Sequence, residues 1–173
     1  MRENRQQPDI EIEEMLNRMV SEWQSPLLKT CLAILGDEDQ AKDAVQETFI
    51  KAYRALPGFR KECSEKTWLI RIAINVCRDM RRSAWWRLID RKVRLEDLPE
   101  PSYATTENDS IVMEKILLLT HKQKEVIILY YYHDMSEQEI AQALRISQPS
   151  VSRRLQNAKK HLKSMLMEVG YGR

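Results

Sequence analysis

The stretch RISQPSVSRRLQNAKKHLK, residues 145–163, carries six Lys and Arg side chains and no carboxylate. The whole chain of 173 residues is nearly balanced, with 28 Lys and Arg against 26 Asp and Glu. The positive charge is therefore a local feature, which indicates a polyanionic partner. The apolar residues of this stretch recur at helical spacing and predict one amphipathic helix; they are Val151, Leu155, Ala158 and Leu162.

The residues just before this helix predict a helix-turn-helix. A short helix is expected from Glu137 to Leu144, with Ile140, Ala141 and Leu144 on its apolar side. Residues 145–147 then form a turn of the length that this motif uses. Ser147 can cap the second helix, and Pro149 is tolerated in a first helical turn. The sequence therefore predicts a helix pair of the kind that enters a DNA groove.

The face opposite the apolar stripe is made of side chains suited to DNA. Arg, Gln and Asn can make paired hydrogen bonds to base edges, and Lys neutralises phosphate. The residues on or beside this face are Ser150, Ser152, Arg153, Arg154, Gln156, Asn157 and Lys160. A solvated helix face is the alternative interpretation. The joint occurrence of cap, turn and stripe disfavours it, although a lone helix-turn-helix does not define a function.

Helical periodicity extends over almost the whole chain, and no segment alternates as a strand would. Three N-terminal helices are predicted, over about 10–35, 37–56 and 67–83. Pro26 is expected to divide or kink the first of them. The second is expected to bury its apolar positions, which include Ala41, Ala44, Val45, Phe49, Ala52 and Tyr53. Two capping boxes predict the starts of later helices, one over about 121–132; they are Thr120 with Gln123, and Ser136 with Glu139.

The segment LEDLPEPSYATTEND, residues 95–109, has two prolines, five acids and little periodicity, so it predicts a flexible linker. The predicted fold is all-α, with two small helical domains over 1–94 and 110–173. We expect these domains to move independently. Contacts between exposed charges would hold the two domains together only weakly, because such charges are screened over about 8–10 Å at physiological salt.

The third predicted helix offers a second basic surface. Arg71, Asn75, Arg78 and Arg82 follow one edge, while apolar residues occupy the remaining sides, Ile70, Ile74 and Cys77 among them. A helix packed on two sides with a narrow polar edge favours a nucleic-acid groove. A solvated face is again the alternative.

Several other classes of protein are disfavoured by the composition. No run of about eighteen apolar residues predicts a membrane span, and the first fifteen residues lack the apolar core of a secretory signal. Cys31, Cys63 and Cys77 form an odd set that suits a reducing cytoplasm. No His lies at zinc-ligand spacing from them, and no His or Asp motif supports Cys63 as an enzymatic nucleophile.

Three motifs together resemble the extracytoplasmic-function (ECF) sigma factors of the bacterial sigma-70 family. They are GDEDQAKDAVQETFIKAYRALPGFR, KTWLIRIAINVCRDMRR, and EVIILYYYHDMSEQEIAQALRISQPSVSRRLQNAKKHL. The resemblance covers about 27–84 and 110–166. It implies a non-enzymatic promoter-recognition subunit of RNA polymerase, with no cofactor, metal or small-molecule substrate. The rival interpretation from another DNA-binding class is a dimeric repressor or activator, which binds palindromes without polymerase.

The resemblance also implies roles for residues and partners. Residues 1–94 correspond to region 2 and residues 110–173 to region 4, which reads the −35 element through the face described above. Region 2 would bind the clamp helices of the largest polymerase subunit through Asp43, Gln46, Glu47, Lys51 and Arg54. It would hold the melted −10 element through Lys61, Ser64, Lys66, Arg71, Asn75, Arg78 and Arg82. Further implied features are a cytoplasmic location and an anti-sigma factor, which in some members holds the protein at the membrane.

Some assignments stay open at this level. Glu47 and Lys51 are also spaced for a simple i, i+4 ion pair, worth a few tenths of a kcal/mol. Trp68 is expected in the core rather than on a base, whereas Trp85 and Trp86 fit either role. The family commonly has Gly in the turn where this chain has Arg145. Ser152 and Arg153 also replace the usual Lys and Ser, which changes the expected −35 sequence but not the binding.

Overall fold

The computed structural model describes residues 6–82 and 107–168, and the side chains of 12–82 and 111–168. These residues form helices and no β-strand, which confirms the all-α prediction. The α-helices are α1 (Gln6–Leu35), α2 (Glu38–Ala55), α3 (Glu65–Arg82), α4 (Glu107–Leu117), α5 (His121–Ile127), α6 (Glu137–Leu144) and α7 (Gln148–Glu168). We refer to α1–α3 as the N-terminal domain and to α4–α7 as the C-terminal domain.

The N-terminal domain is a three-helix unit in which α2 packs against both α1 and α3. Gly36 ends α1 with a φ of 75°, a conformation that glycine adopts without strain. Asp37 then caps α2, because its Oδ1 accepts the N–H of Gln40 at 2.8 Å, as predicted. The helices meet over a buried apolar core that includes Leu27, Leu69 and Ile74.

Helix α1 passes through Pro26 as one continuous element. It begins at Gln6, earlier than the predicted start near Ile10. Thr30 Oγ1 donates a hydrogen bond to the Pro26 carbonyl at 2.9 Å. Pro26 therefore does not divide the helix, and a kink at this residue stays a prediction.

The connection between α2 and α3 is compact. Leu56–Gly58 form one turn of 3₁₀-helix, and Phe59 stacks on Trp68 with ring centroids 4.7 Å apart. Ser64 Oγ accepts the N–H of Thr67 at 3.1 Å and so caps α3. Trp68 packs against the core, as the sequence predicted.

Both capping boxes of the C-terminal domain are present. Gln123 Oε1 accepts the N–H of Thr120, and Glu139 Oε2 accepts the N–H of Ser136. Helix α5 ends earlier than predicted, because residues 128–132 form a π turn. Helix α4 begins at Glu107, so residues 107–109 are helical and not part of a linker. The rest of the predicted linker, 95–106, lies outside the described residues.

The helix-turn-helix forms as predicted from α6 and α7. Val151, Leu155 and Ala158 are buried against the rest of the domain. Arg145 ends α6 at φ 53° and ψ 49°, in the left-handed region. A residue with a Cβ is strained there by roughly 1–2 kcal/mol, which explains why glycine is common at this turn.

The two domains pack against each other in this structure. Helix α3 contacts α6, and α1 contacts α4 and α5, so that one apolar core extends through both domains. The predicted weak closure through exposed charges does not describe this contact. Its polar groups are largely shielded from water, with the Glu125 side chain 3% exposed and His133 4% exposed.

Candidate nucleic-acid interface

Helix α7 turns a polar face to solvent along most of its length. The buried stripe of Val151, Leu155 and Ala158 fixes which side faces the domain, so the opposite side is free of packing. The predicted −35 residues that are exposed on it are Arg153, Gln156, Asn157 and Lys160. Arg154 is half-buried at its edge. The face therefore presents hydrogen-bonding groups of the kind that read base edges.

Two of the predicted −35 residues are engaged within the helix-turn-helix. Ser152 Oγ donates a hydrogen bond to Glu137 on α6. Ser150 and Ser147 join their hydroxyl groups at 2.8 Å in the first turn of α7. Ser150 and Ser152 thus stabilise the motif, and their role towards DNA stays a prediction.

The polar edge of α3 differs in exposure from one residue to the next. Asn75 and Arg82 are exposed, and Arg82 approaches Asp79 at 3.8 Å. Arg71 is half-buried, and its Nε is buried without a hydrogen-bond partner. Lys61 and Ser64 are exposed in the loop before α3, where Lys61 has a φ of 56°. The edge is therefore only partly open to a ligand.

Arg78, in the middle of this edge, binds the C-terminal domain. Its Nε donates to Glu125 Oε1 at 2.9 Å and its Nη2 donates to Oε2 at 2.7 Å, which makes a bidentate pair. The Arg78 side chain is 25% exposed and the Glu125 side chain 3%. The hydrogen bonds to Glu125 raise the pKa of Arg78, so the guanidinium stays charged. Its predicted contact with −10 DNA stays a prediction, because the guanidinium is occupied here.

Lys66, another predicted −10 residue, also reaches the C-terminal domain. Its Nζ donates to the backbone carbonyl of His133. The His133 ring is buried at 4% exposure, and its Nε2 lies 2.7 Å from Thr30 Oγ1 on α1. Burial and the nearby Lys66 charge lower the pKa of His133 to about 4, so the ring is neutral at physiological pH.

The predicted polymerase-binding residues lie along the outer side of α2. Asp43, Gln46 and Arg54 are exposed there. Glu47 is paired with Lys51 at 3.6 Å, which is the simple ion pair expected as an alternative role. Since a weak surface pair can also be replaced by a partner, this geometry leaves the polymerase role a prediction.

The same surface includes large apolar side chains that the sequence interpretation did not place there. Ile50 is 45% exposed and Tyr53 is 44% exposed. The prediction that Tyr53 belongs to the buried stripe of α2 was wrong, because that stripe is completed by Val45, Thr48 and Ala52. An exposed apolar patch with charged neighbours is typical of a protein-binding surface.

Other candidate sites find no support in the part of the chain that the structure describes. Residues 12–82 and 111–168 contain no group of three His, Cys, Asp or Glu residues placed to hold a metal ion. Cys31 and Cys77 are buried, and a hydrogen bond between them together with burial raises the pKa of Cys77. No described helix is long and apolar enough to cross a bilayer. Trp85 and Trp86 lie outside the described residues.

Comparison with known families decides among the DNA-binding classes. The model of Sigma-70 region 2 matches residues 19–87, and the model of Sigma-70, region 4 matches residues 110–162, together more than two thirds of the chain. The chain belongs to the sigma-70 family. The match of two regions, in this order and in two different domains, disfavours a dimeric repressor that has a helix-turn-helix alone.

Individual relatives place the chain in the ECF group of this family. It is 28% identical over 165 residues to the ECF RNA polymerase sigma factor SigW of Bacillus subtilis, which covers 87% of this chain and 88% of that protein. It is 39% identical to the RNA polymerase sigma-H factor of Pseudomonas aeruginosa over 79 residues, which are 46% of this chain and 41% of that protein. As an ECF sigma factor, the chain recognises promoters and initiates transcription with RNA polymerase; this family consists of non-enzymatic initiation factors.

Solved structures of sigma factors have the same fold. The sigma factor RpoE of Bartonella quintana, solved in complex with the anti-sigma factor NepR, superposes with a TM-score of 0.73. The superposition covers 87% of this chain and 96% of RpoE, at 21% sequence identity. At this identity the likeness establishes the shared fold.

The sequence interpretation missed the residues that join the two domains of this sigma factor. Glu125 is the clearest case, because it is a carboxylate beside a strongly apolar run, VIIL. A charged residue at a buried position needs a partner, and that rule could have marked Glu125 as paired. Nothing in the sequence indicated that its partner would be Arg78, 47 residues away.

Proposed function

We propose that the two domains of this ECF sigma factor bind two different forms of promoter DNA. The C-terminal domain, 110–173, reads the −35 element as a duplex, and the N-terminal domain, 1–94, holds the melted −10 strand. The exposed face of α7 carries this proposal, because it combines Arg153, Gln156 and Asn157 with a buried stripe on the opposite side. Residues 95–106 connect the two domains along the chain.

The −10 site consists of the predicted residues around α3. Asn75 and Arg82 on the helix, with Lys61 and Ser64 in the preceding loop, are accessible to a single strand. Lys66, Arg71 and Arg78 complete the set. A melted strand loses base stacking, and a pocket that accepts an extruded base offsets this loss.

The outer side of α2 binds the clamp helices of the largest polymerase subunit in this proposal. Asp43, Gln46 and Arg54 supply polar contacts, Glu47 and Lys51 exchange their mutual pair for the partner, and Ile50 and Tyr53 supply apolar area. Tyrosine is enriched among residues that dominate interfaces. The protein works in the cytoplasm, and an anti-sigma factor of the kind bound to RpoE holds it inactive.

Transcription with purified core polymerase tests this function. Core enzyme and the full chain are expected to co-purify and to give run-off transcripts from a subset of a genomic promoter library. Asp43→Ala together with Gln46→Ala is expected to weaken core binding. The control Glu14→Ala removes an exposed carboxylate from α1 and should leave it unchanged. Failure to bind core polymerase, or transcripts without promoter preference, would contradict the proposal.

A further inference from the structure

The loop that leads into α3 holds a strained backbone position. We refer to residues 59–64 as the entry loop, and Lys61 in its middle has a φ of 56°. A residue with a Cβ is disfavoured in this left-handed region and persists there where the surrounding structure over-determines the conformation. Residues 60–62 are exposed, so packing around Lys61 itself supplies little of this constraint. The constraint therefore comes from the two ends of the loop.

Both ends of the entry loop are attached to the first turn of α3, residues 65–68. The Phe59 ring packs on the Trp68 ring with centroids 4.7 Å apart. At the other end, Ser64 Oγ accepts the N–H of Thr67 at 3.1 Å and lies 2.9 Å from the Thr67 hydroxyl oxygen. The path of the entry loop thus depends on where this first turn is placed.

Helix α1 holds this first turn from the outside. Arg18 Nη2 donates a hydrogen bond to Glu65 Oε2 at 2.7 Å. The hydrogen bond to Glu65 raises the pKa of Arg18, so the guanidinium stays charged. Further along α1, the centroid of the Trp23 ring lies 5.9 Å from Lys66 Nζ. Two neighbouring residues at the start of α3 are thus in contact with α1.

The Arg18–Glu65 pair also compensates a charge at the start of α3. The free N–H groups of a helix N-terminus attract anions, whereas an unpaired carboxylate there would repel the phosphates of a DNA strand. Glu65 is the first residue of α3, and its neighbours Ser64 and Lys66 belong to the set assigned to the −10 strand. Arg18 therefore neutralises Glu65 at the place where that strand approaches.

We propose that Arg18 is a positioning residue for the −10 site, which fixes the entry loop through Glu65 and does not touch DNA. This inference rests on the proposed function, because that function places Lys61 and Ser64 of the entry loop at the melted strand. Arg18 precedes residues 19–87, which match the Sigma-70 region 2 model, so this role is not part of that match. The Arg18 side chain is 53% exposed and that of Glu65 31%, so the expected effects are modest.

The reactivity of Cys63 tests this positioning without DNA. Cys63 lies in the entry loop and is half-buried, whereas Cys31 and Cys77 are buried. Iodoacetamide should therefore modify Cys63 first, at a rate that reports how often the loop opens, and mass spectrometry of the Cys63 peptide measures that rate. Arg18→Ala should raise the rate by roughly two- to fivefold, the range that corresponds to losing an exposed ion pair.

A double variant shows whether Arg18 acts through Glu65. Glu65→Gln removes the partner charge and should raise the Cys63 rate as Arg18→Ala does. The two changes combined should give the same rate as either alone, because the pair is lost only once. Glu22→Gln removes the more distant partner of Arg18, at 3.7 Å, and should react as wild type does. Circular dichroism checks the fold, and Glu65→Gln decides the test if Arg18→Ala loses helicity.

Discrimination between oligonucleotides measures the consequence for the −10 site. The probes are a single-stranded oligonucleotide that core polymerase carrying the wild-type chain selects from a random pool, and copies of it with one base changed. Arg18→Ala should reduce the ratio of their affinities by a similar factor, because a displaced loop reads bases less well. Repulsion by an unpaired Glu65 would instead lower all affinities alike and leave the ratio unchanged.

Cys63 rates at wild-type values in both single variants would overturn the proposal. Additive effects in the double variant, or an unchanged affinity ratio in a variant whose Cys63 rate rises, would overturn it as well. The thiol measurement needs neither DNA nor polymerase, so its outcome is separate from that of the transcription test. A chain whose entry loop responds as expected but which selects no oligonucleotide would contradict the proposed −10 site and leave the hold of Arg18 on the loop established.

Discussion

Helices α3 and α7 both carry a basic edge opposite an apolar side, yet the structure treats the two edges differently. On α7 the exposed edge includes Arg153, Gln156 and Asn157, whereas on α3 Arg78 is held by a buried carboxylate of the other domain. Similar patterns of residues thus lead to one open surface and one occupied surface. The comparison teaches that a basic stripe identifies the class of ligand, while accessibility depends on what else in the chain competes for the same cations.

Lowering the pH should destabilise the contact between the domains, and this is the largest of the expected effects. Burial lowers the pKa of His133 from 6.5 to about 4, so the folded chain protonates this ring at a lower pH than the unfolded chain does. As the pH falls from about 6.5 towards 4, the free energy of unfolding should fall by up to about 3 kcal/mol. Facing charges contribute, since Lys66 lowers this pKa and Asp134 raises it.

Urea unfolding between about pH 7 and about pH 5 measures this effect. His133→Gln keeps a hydrogen-bonding side chain and should reduce the pH dependence. The control His161→Gln replaces an exposed histidine and should preserve it. An equal pH dependence in His133→Gln and wild type would show that protonation of His133 does not control the free energy of unfolding.

The exposed face of α7 should lose affinity for duplex DNA when a single arginine is removed. Arg153→Ala or Arg154→Ala should cost about 1–3 kcal/mol of duplex binding at one base if the arginine reads a base edge, and should weaken all sequences alike if it contacts phosphate. Lys163→Ala, on the same helix further from the turn, is the matched control. Titration of labelled promoter duplexes measures the effect, and unchanged binding in both arginine variants at normal helicity would remove α7 from the −35 site.

Asn75 is exposed on α3, although its neighbour Arg78 is held by Glu125. Asn75→Ala should impair promoter opening by about 1 kcal/mol, the size of one hydrogen bond, and should spare core binding. Permanganate reactivity of melted thymines measures opening. Gln46→Ala should instead weaken core binding first. A parallel loss of both activities in Asn75→Ala would assign that residue a structural role.

The smallest effect is expected at the turn before α7. Arg145→Gly should relieve the left-handed strain, and the greater freedom of glycine in the unfolded chain offsets part of this gain. The expected net stabilisation is about 0.5–1 kcal/mol. Arg145→Ala removes the same charge but keeps a Cβ, so thermal unfolding should separate the two variants. Equal stability of both would show that the turn is not strained.

Local features of this fold could be predicted because their causes lie within a few residues. Asp37 caps α2 through Gln40, and the two capping boxes fix the starts of α5 and α6. Arg145 adopts the left-handed conformation that its position in the turn demands. The exposed and buried sides of α7 likewise follow from its apolar spacing.

The features that could not be predicted depend on distant or competing interactions. Glu125 pairs with Arg78 only when the two domains are packed together. From the sequence alone, many other Lys and Arg side chains could have been its partner. Tyr53 was counted among the apolar positions of α2, yet it is exposed, and Ala44, Val45 and Ala52 form the buried side of the helix. The π turn after Ile127 has no local signal comparable with a cap.

This π turn leads directly into His133. The N–H of His133 bonds to the carbonyl of Ile128, and the N–H of Met135 bonds to that of Leu129, so the helix gains a residue relative to the regular repeat. Each added residue rotates later side chains by about 100°. His133, directly after this turn, meets Thr30, and Tyr131 and Tyr132 within the turn are exposed. A relative that lacks one residue here would present a different side chain to α1, so the contact between the domains can change through a single-residue deletion that leaves both α3 and α7 untouched.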